Sequence, residues 1–401
     1  MDRSPEPKAK HLVNHFSFTH LVIPLILLSI ITAYILFVSS DSNVNALFER
    51  CFPSASSNNH APPLSRIPMV GPPACCLVSF FQAALSSRRS SVIMSEILAY
   101  VGTLLTVTTM ESARISNRPN WMIANPTTAW LISNLAGGAV IWQLAIVPVF
   151  LYHERQRFLT QTKLKEGSAE QQTPQSPSSA SATGATQLIS PPPRKSSLED
   201  HCHGPLHRHI CSTELHAIPI SVAIGYLIPC LPFLLRPSAL SVFIWLFFPA
   251  YVSVIRQIVR RWVPLPQFGH SERSSGATLQ PESSNSALVW IYALPLACSL
   301  VAHLALVHDL LLVKDDRSPT TRAALSFIQT DFTAIGLTVL YWIFVEVGWR
   351  IALLSLLIGC VMGPGAGLCV SWMLRERELE KTTVVHNSGT ARNGVGANKD
   401  K

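Results

Sequence analysis

The residue best placed to do chemistry is an aspartate near the start of a long apolar run. Asp331 lies in the stretch Phe327–Val347, and an ionisable group at membrane depth is costly enough to be a functional candidate. On a helix, Asp331 shares one face with Ile335, Thr338 and Trp342, so a carboxyl, a hydroxyl and an indole group face together. This stripe predicts a lined cavity in which Asp331 is a general acid. The alternative is an aspartate that caps its own helix.

A second group of polar residues follows the apolar run 91–110. Glu111, Arg114 and Arg118 fall on one face if the helix continues, and Asn117 lies one turn beyond Arg114. This spacing places a carboxylate beside two guanidinium groups. We predict that Glu111, Arg114 and Asn117 form a functional constellation at the mouth of a pocket. The alternative is an interfacial salt bridge that ends a span.

The other ionisable residues in apolar runs are weaker candidates. Glu96 lies inside the run 91–110, with Tyr100 one turn later. His303 and His308 precede Asp309, but two histidines five residues apart do not share a helical face. We therefore expect no metal at these histidines.

The evidence for a metal or cofactor site in the loops is also weak. Histidines and cysteines gather between residues 201 and 211, but their spacing matches no common zinc site. The chain has no phosphate-binding loop, no dinucleotide fingerprint and no Asp-rich magnesium motif. We predict no metal and no cofactor. The nine cysteines, including Cys75 and Cys76, are scattered, so most are expected to be small buried hydrophobic residues outside any disulfide framework.

The composition places these groups in a membrane. Of 401 residues, 48% are apolar and 13% are charged, and the mean hydropathy is +0.30, whereas soluble proteins carry about 25% charged residues. The net charge of +8 is not gathered on one face with interleaved aromatic residues, so nucleic acid is not an expected partner.

Eight apolar runs approach the roughly 20 residues that a membrane-spanning helix needs. A ninth, Pro73–Leu85, is short and is expected to be tilted or re-entrant. The sequence therefore predicts an all-α fold, a polytopic transmembrane bundle of eight or nine helices. The long runs are Leu21–Val38, Ser91–Met110, Thr127–Leu151, Ala217–Leu235, Ala239–Ile255, Ala287–Leu312, Phe327–Val347 and Ile351–Leu374.

Composition also predicts the order of parts along the chain. Basic residues follow Leu85, Leu151 and Ile255, and the positive-inside rule places all three loops in the cytosol if nine runs cross. We expect a multi-pass protein of the endoplasmic reticulum or another endomembrane.

The sequence also predicts how the chain is divided. The predicted parts are a cytosolic N-terminus (1–18), a first membrane half of three or four helices (19–152), a disordered Ser/Pro-rich loop (153–213), a second membrane half of five helices (214–380) and a disordered tail (381–401).

Three short motifs occur in order along the chain. They are Glu111-Ser112-x-Arg114-x-x-Asn117-Arg118, then Phe327-x-Gln329-x-Asp331, then Gly363-Pro364-Gly365-Ala366 followed by Trp372 and Arg375-Glu376. Together they resemble fungal integral-membrane terpene cyclases of the ascochlorin-pathway type. The segment Phe80–Leu85 is also similar to an early helix of that family. The resemblance covers about residues 70–380, and Ser116 and Thr330 depart from the family pattern.

This resemblance implies a cyclase of the meroterpenoid type. A prenylated aromatic or polyketide intermediate, often a terminal epoxide, would be protonated and would fold into rings without loss of diphosphate. Such a lipophilic substrate arrives from the membrane lipids, and aromatic faces can stabilise the carbocation. The expected catalytic residues are Asp331, Glu111, Arg114 and Asn117. The expected substrate-binding residues are Gln329, Thr338, Tyr341, Trp342 and Trp130.

Two other functions compete with the cyclase: a small-molecule transporter and a non-catalytic membrane protein. A transporter is expected to have repeats or broken helices at matching positions in two halves, and the sequence shows no such repeat. A scaffold needs no aspartate within the membrane. The positions of Asp331 and Glu111 discriminate among these three functions. If both residues face one closed apolar cavity, the cyclase is favoured, and if they face a polar path through the protein, the transporter is favoured. If they cap helices at the lipid edge, the scaffold is favoured.

Overall fold

The computed structural model describes residues 17–38, 51, 71–170, 210–211, 213–262, 278–279 and 285–378. The predicted disordered tail, residues 171–200 of the Ser/Pro-rich loop and the histidines of the 201–211 cluster lie outside these ranges. The described residues form a helical bundle with one short antiparallel pair of strands, β1 (Ile210–Cys211) and β2 (Thr278–Leu279). The predicted all-α fold is confirmed.

The helices follow the apolar runs. Short π-helical turns at Tyr34–Val38, Trp142–Ile146 and Ala223–Leu227 extend the first α-helix or join consecutive α-helices. The α-helices are α1 (Phe18–Ala33), α2 (Gly71–Ala84), α3 (Arg88–Ala113), α4 (Trp121–Ala124), α5 (Pro126–Ala136), α6 (Gly138–Ile141), α7 (Val147–Glu170), α8 (Glu214–Val222), α9 (Ile228–Leu235), α10 (Ala239–Leu246), α11 (Phe248–Trp262), α12 (Asn285–Leu312), α13 (Pro319–Val347), α14 (Trp349–Met362) and α15 (364–378).

All nine predicted runs are helical, but they differ in whether they can cross a membrane. In the described part of the chain, five continuous helices are long and apolar enough, and the pair α10 and α11, bent by 53°, makes a sixth span. The five are Phe18–Val38, Arg88–Ala113, Glu214–Leu235, Ser286–Leu312 and Pro319–Val347. Of the other three runs, α2 has only 14 residues, and the remaining two are each broken by a glycine.

The run Thr127–Leu151 folds into a hairpin, here called the first hairpin. Its legs, α5 and the segment from α6 into α7, meet at Gly137, whose φ of +96° favours glycine. Trp130 and Trp142, on opposite legs, have ring centroids 5.7 Å apart. The chain therefore enters the bundle and returns to the end from which it came.

The run Ile351–Leu374 folds in the same way into a second hairpin, formed by α14 and α15. Its tip is Gly363, also at φ +96°. The legs pack so closely that a Cβ on Gly367 would lie 2.4 Å from the carbonyl oxygen of Ser355. Each membrane half thus ends in a glycine-tipped hairpin that follows a long helix, α3 in the first half and α13 in the second.

Polar contacts define two ends of the bundle, named after residues of α3. At the Arg88 end, the backbone N–H of Arg88 donates to Asp316 (2.9 Å) and Arg89 pairs with Asp309 of α12 (3.2 Å). At the Glu111 end, Arg256 of α11 donates to Ser112 (2.7 Å).

Three loops that were predicted to lie on one side of the membrane lie at different ends of the bundle. The loop after Leu85 lies at the Arg88 end, whereas residues after Leu151 and Ile255 lie at the Glu111 end, near Ser116 and Ser112 respectively. The prediction that all three loops share one side is wrong, because the first hairpin returns and α3 is the one crossing between the first two loops. The predicted loop boundary at residue 153 is also wrong, since α7 continues to Glu170.

One cysteine expectation is corrected as well. Cys51 and Cys75 form a disulfide across 24 residues, a pairing that no sequence motif marks. Cys76, Cys230 and Cys369 are buried free thiols, as predicted for small apolar side chains.

Candidate active site

A cavity of about 390 Å³ lies between α2, α3, α13 and the tip of the first hairpin. Its walls are almost entirely apolar and rich in aromatic rings. Among the lining residues in the described part of the chain, Asp331 is the one acidic side chain. The aromatic lining residues are Phe37, Phe80, Phe81, Trp130, Trp142, Trp245, Phe327 and Phe332.

Asp331 binds the tip of the first hairpin. Its two carboxyl oxygens accept hydrogen bonds from the backbone N–H groups of Gly138 (3.2 Å) and Ala139 (2.9 Å). These N–H groups open the second leg, where a helix has unsatisfied donors. Asp331 lies twelve residues into α13, which begins at Pro319, so the alternative that it caps its own helix is excluded. It caps a helix of the other membrane half.

Gly138 leaves room for this approach. A Cβ at Gly138 would lie 3.1 Å from a carboxyl oxygen of Asp331 and 2.8 Å from Ile335. The Gly-Gly pair at 137–138 therefore gives both the turn and the close contact between the hairpin tip and α13.

The predicted stripe on α13 reaches the cavity only at its start. Asp331 and Ile335 line the cavity, whereas Thr338 is fully buried and donates to the carbonyl oxygen of Ala334 (2.7 Å). Trp342 contacts Trp372 and Phe150. Eleven residues of helix span about 17 Å, which is longer than the cavity wall on this side.

The other predicted substrate-binding residues are dispersed. Trp130 lines the cavity, and its indole N–H donates to Thr108 (3.0 Å). Gln329 is exposed on the outer face of α13. Tyr341 donates its hydroxyl to the carbonyl oxygen of Leu21 (2.8 Å). The structure therefore brings Trp130 to Asp331 but does not bring Gln329 or Tyr341 there.

Glu111 and Arg114 belong to a buried ionic cluster at the Glu111 end, outside the cavity lining. Glu111 is 1% exposed and accepts from Arg375 (2.9 Å), and Arg114 contacts Glu111 (3.0 Å) and Glu376 (2.6 Å). Glu346 accepts hydrogen bonds from Arg375 and, at 2.8 Å, from the indole of Trp342. The cluster joins the ends of α3, α13 and α15.

The backbone around Arg114 differs from the predicted continuous helix. Helix α3 ends at Ala113, and Arg114 has extended ψ of 131° before a 3₁₀ turn. Asn117 nevertheless folds back, and its side-chain N–H₂ donates to the carbonyl oxygen (2.8 Å) and the carboxylate (3.2 Å) of Glu111. Glu111, Arg114 and Asn117 are thus brought together as predicted, by a turn and not by helical spacing.

Sequence reasoning did not connect Glu346, Arg375 and Glu376 with Glu111, because these residues lie more than 230 positions away. The signal available was the Arg375-Glu376 pair in an apolar segment, which the third motif contains.

Glu96 of α3 lies against the tip of the second hairpin. One carboxylate oxygen of Glu96 lies 3.2 Å from Nδ1 of His303, and a Cβ on Gly363 would be 2.7 Å from the same oxygen. Ser299 accepts from the backbone N–H of Ala366 (2.9 Å) at this tip. Asp309, the other acid near these histidines, pairs with Arg89 as described above.

Comparison with known families gives one match. A family model described as CtvD domain matches residues 189–314, less than a third of the chain, and that family name is linked to fungal meroterpenoid pathway proteins. The matched segment contains α8 to α12 and stops before Asp331. No curated protein and no solved structure matches the chain.

Proposed function

We propose that the protein is a membrane-bound terpene cyclase that starts its reaction by protonating an epoxide or alkene of a prenylated aromatic or polyketide intermediate. The observation that carries this proposal is the Asp331 carboxyl in the wall of an apolar, aromatic cavity. The similarity to a family linked to meroterpenoid pathways supports the same assignment.

The contacts of Asp331 suit an acid. When its proton moves to an epoxide oxygen, the epoxide C–O bond breaks, the alkene electrons form the new ring bond, and a carboxylate remains. The N–H groups of Gly138 and Ala139 already bind both carboxyl oxygens, so they stabilise that anion without rearrangement. The final carbocation returns a proton to the carboxylate, and the reaction is an isomerisation.

The cavity walls suit the cation. Trp130 and Trp142 stand on the two legs of the first hairpin, and Phe327 stands one turn before Asp331. Aromatic faces attract a positive charge, and an apolar wall excludes water that would quench it. A volume near 390 Å³ falls in the range of small-molecule sites, about 300–1,000 Å³.

We assign Glu111, Arg114 and Asn117 a positioning role. Their cluster holds the end of α13 through Glu346 and Trp342, and α13 carries Asp331 into the cavity. On this proposal the cluster acts through the orientation of α13 and does not touch the substrate.

The orientation we propose places the Glu111 end in the cytosol. The basic residues Arg155, Arg157, Arg256, Arg260 and Arg261 flank spans at this end, as the positive-inside rule requires. The Cys51–Cys75 disulfide requires contact with an oxidising lumen, where disulfides form and persist. An endoplasmic reticulum location satisfies both requirements.

The direct test is product analysis. Membranes from a heterologous host that expresses the chain are given prenylated phenols and their terminal epoxides, and products are compared with those from empty-vector membranes. A cyclised isomer of the same mass supports the proposal, and recovery of unchanged substrate across the set counts against it.

A transporter is the second candidate, because of one specific observation. The two hairpins are broken helices at matching positions in the two halves, and each tip meets a carboxyl group from the long helix of the other half, Asp331 or Glu96. Parallel repeats of this kind occur in transporters. Uptake of a prenylated phenol into proteoliposomes, without chemical change, would support this candidate over the cyclase.

A further inference from the structure

The cavity has a mouth whose rim is apolar. Among the lining residues, Phe37 and Leu135 are exposed by 64% and 60% on the outside of the bundle. Pro73 also lines the cavity and is exposed. A mouth that opened to water would have a polar rim, because exposed apolar patches are costly there.

The surface around this rim is also apolar. Tyr34 and Val38 on the extension of α1, and Ile132 on α5, are exposed by 60%, 69% and 47%. These side chains belong to helical segments that face lipid, so the rim continues a lipid-facing surface.

Helix α2 closes the cavity beside this mouth. Its lining residues recur at helical spacing, so one whole face of α2 covers the cavity. The C-terminal part is held by aromatic contacts to α13 and α10 and by a hydrogen bond from Gln82 to the carbonyl oxygen of Pro237 (3.0 Å). The lining residues of α2 are Pro73, Cys76, Leu77, Phe80 and Phe81.

The N-terminal part of α2 carries the covalent link. Cys75 is bonded to Cys51, and its neighbours Pro73 and Cys76 form the rim and wall of the mouth. The disulfide therefore holds the end of α2 that borders the opening.

We propose that this mouth is a lateral portal to the bilayer, that α2 is its lid, and that the Cys51–Cys75 disulfide holds the lid. The ligand that uses it is an uncharged, hydrocarbon-rich molecule dissolved in the membrane. This access route is independent of whether the cavity is catalytic.

A labelling experiment on the full chain in lipid nanodiscs tests the portal. Cys76 is a free thiol in the cavity wall, and Cys360 is an exposed thiol on α14 that serves as an internal control. The two probes are N-pyrenylmaleimide, which dissolves in the bilayer, and a sulfonated maleimide, which does not. Labelling of each cysteine is followed by peptide mass spectrometry.

The portal predicts that N-pyrenylmaleimide labels Cys76 at least about ten times faster than the charged reagent. Leu135→Trp should narrow the rim and slow this reaction about tenfold, Leu135→Ala should not slow it, and Cys360 labelling should stay constant in both variants. Equal labelling of Cys76 by both probes, or no effect of Leu135→Trp, overturns the portal.

The lid is tested by removing its tether. The double variant Cys51→Ser and Cys75→Ser should label at Cys76 several times faster than the parent, with Cys360 unchanged. If that variant fails to fold, mild reduction of the intact protein makes the same comparison. An unchanged Cys76 rate after loss of the disulfide overturns the lid, and neither measurement depends on turnover.

Discussion

At the scale of single residues, Asp331 combines two roles that a substitution can separate. It binds the hairpin tip through two N–H groups and presents a carboxyl group to an apolar cavity. An amide in its place keeps one acceptor oxygen and loses the acidic proton.

Asp331→Asn should therefore abolish most catalysis while leaving the fold. Loss of one backbone hydrogen bond costs about 0.5–1.5 kcal/mol, whereas loss of a general acid lowers the rate by about 10²–10⁴-fold. Cyclisation is measured in isolated membranes and stability by thermal unfolding in detergent. Ser221→Ala, which removes a buried hydroxyl that donates within its own helix, is the control. Cyclisation by Asp331→Asn at the control rate would exclude Asp331 as the acid.

That Asp331 is an unusual residue could be predicted from the sequence, because a charged residue in an apolar run is visible within one segment. Its hydrogen-bond partners could not be predicted, because Gly138 and Ala139 lie more than 190 positions away. They bind through backbone N–H groups, which every residue except proline has. The same holds for Arg375 and Glu111, which meet only after three helix ends converge.

Arg114 tests whether the ionic cluster is structural. Arg114 is fully buried between Glu111 and Glu376, and a lysine cannot reach both with the planar fork of arginine. Arg114→Lys should lower the free energy of unfolding by about 2–4 kcal/mol, near the cost of breaking a buried pair, and activity should fall with stability. Arg322→Lys, at an exposed pair with Asp315, should change stability by less than about 1 kcal/mol.

A different outcome would reassign the cluster. If Arg114→Lys unfolds at the parent temperature but loses cyclisation, Arg114 takes part in the reaction itself and the positioning role is wrong.

At the scale of elements, the glycine tips decide which apolar runs cross. Pro24, Pro219 and Pro295 lie inside continuous helical segments, whereas the hairpins break at Gly137 and Gly363. Hydropathy located every run but could not locate the breaks, because a glycine with positive φ and one within a helix have the same hydropathy. What differs is the tertiary partner at the tip.

Three glycines share the same φ of +96°, so alanine substitutions at these positions can distinguish the cost of backbone strain from the cost of steric crowding. A Cβ at Gly348 meets nothing within 4 Å, one at Gly137 meets only Asp331 at 3.9 Å, and one at Gly363 meets Glu96 at 2.7 Å. Gly348→Ala and Gly137→Ala should each cost about 1–3 kcal/mol of strain, and Gly363→Ala should cost clearly more. Thermal unfolding of the three variants gives the order, and equal shifts would show that the second hairpin tip adapts to a side chain.

At the scale of the whole molecule, the two returning hairpins determine which helix ends meet at each end of the bundle. Six spans and two returning hairpins bring Phe18 of α1, His153 of α7 and Glu376 of α15 to the Glu111 end. Nine crossings would place the basic loops after Leu85, Leu151 and Ile255 on one side, whereas six spans place the first loop at the Arg88 end and the other two at the Glu111 end. Long-range folding, and not the composition of any run, makes the difference.

This topology can be measured in sealed microsomes with the cytosolic face outward. Added protease should cut the Ser/Pro-rich loop within residues 171–209, because its flanking helices α7 and α8 both reach the Glu111 end. Lys314, exposed between α12 and α13 at the Arg88 end, should resist a membrane-impermeant amine reagent until detergent opens the vesicles, as followed by peptide mass spectrometry. Protection of the loop together with ready labelling of Lys314 would invert the orientation. Protection of both, or accessibility of both, would show that the two ends are not on opposite sides of the membrane.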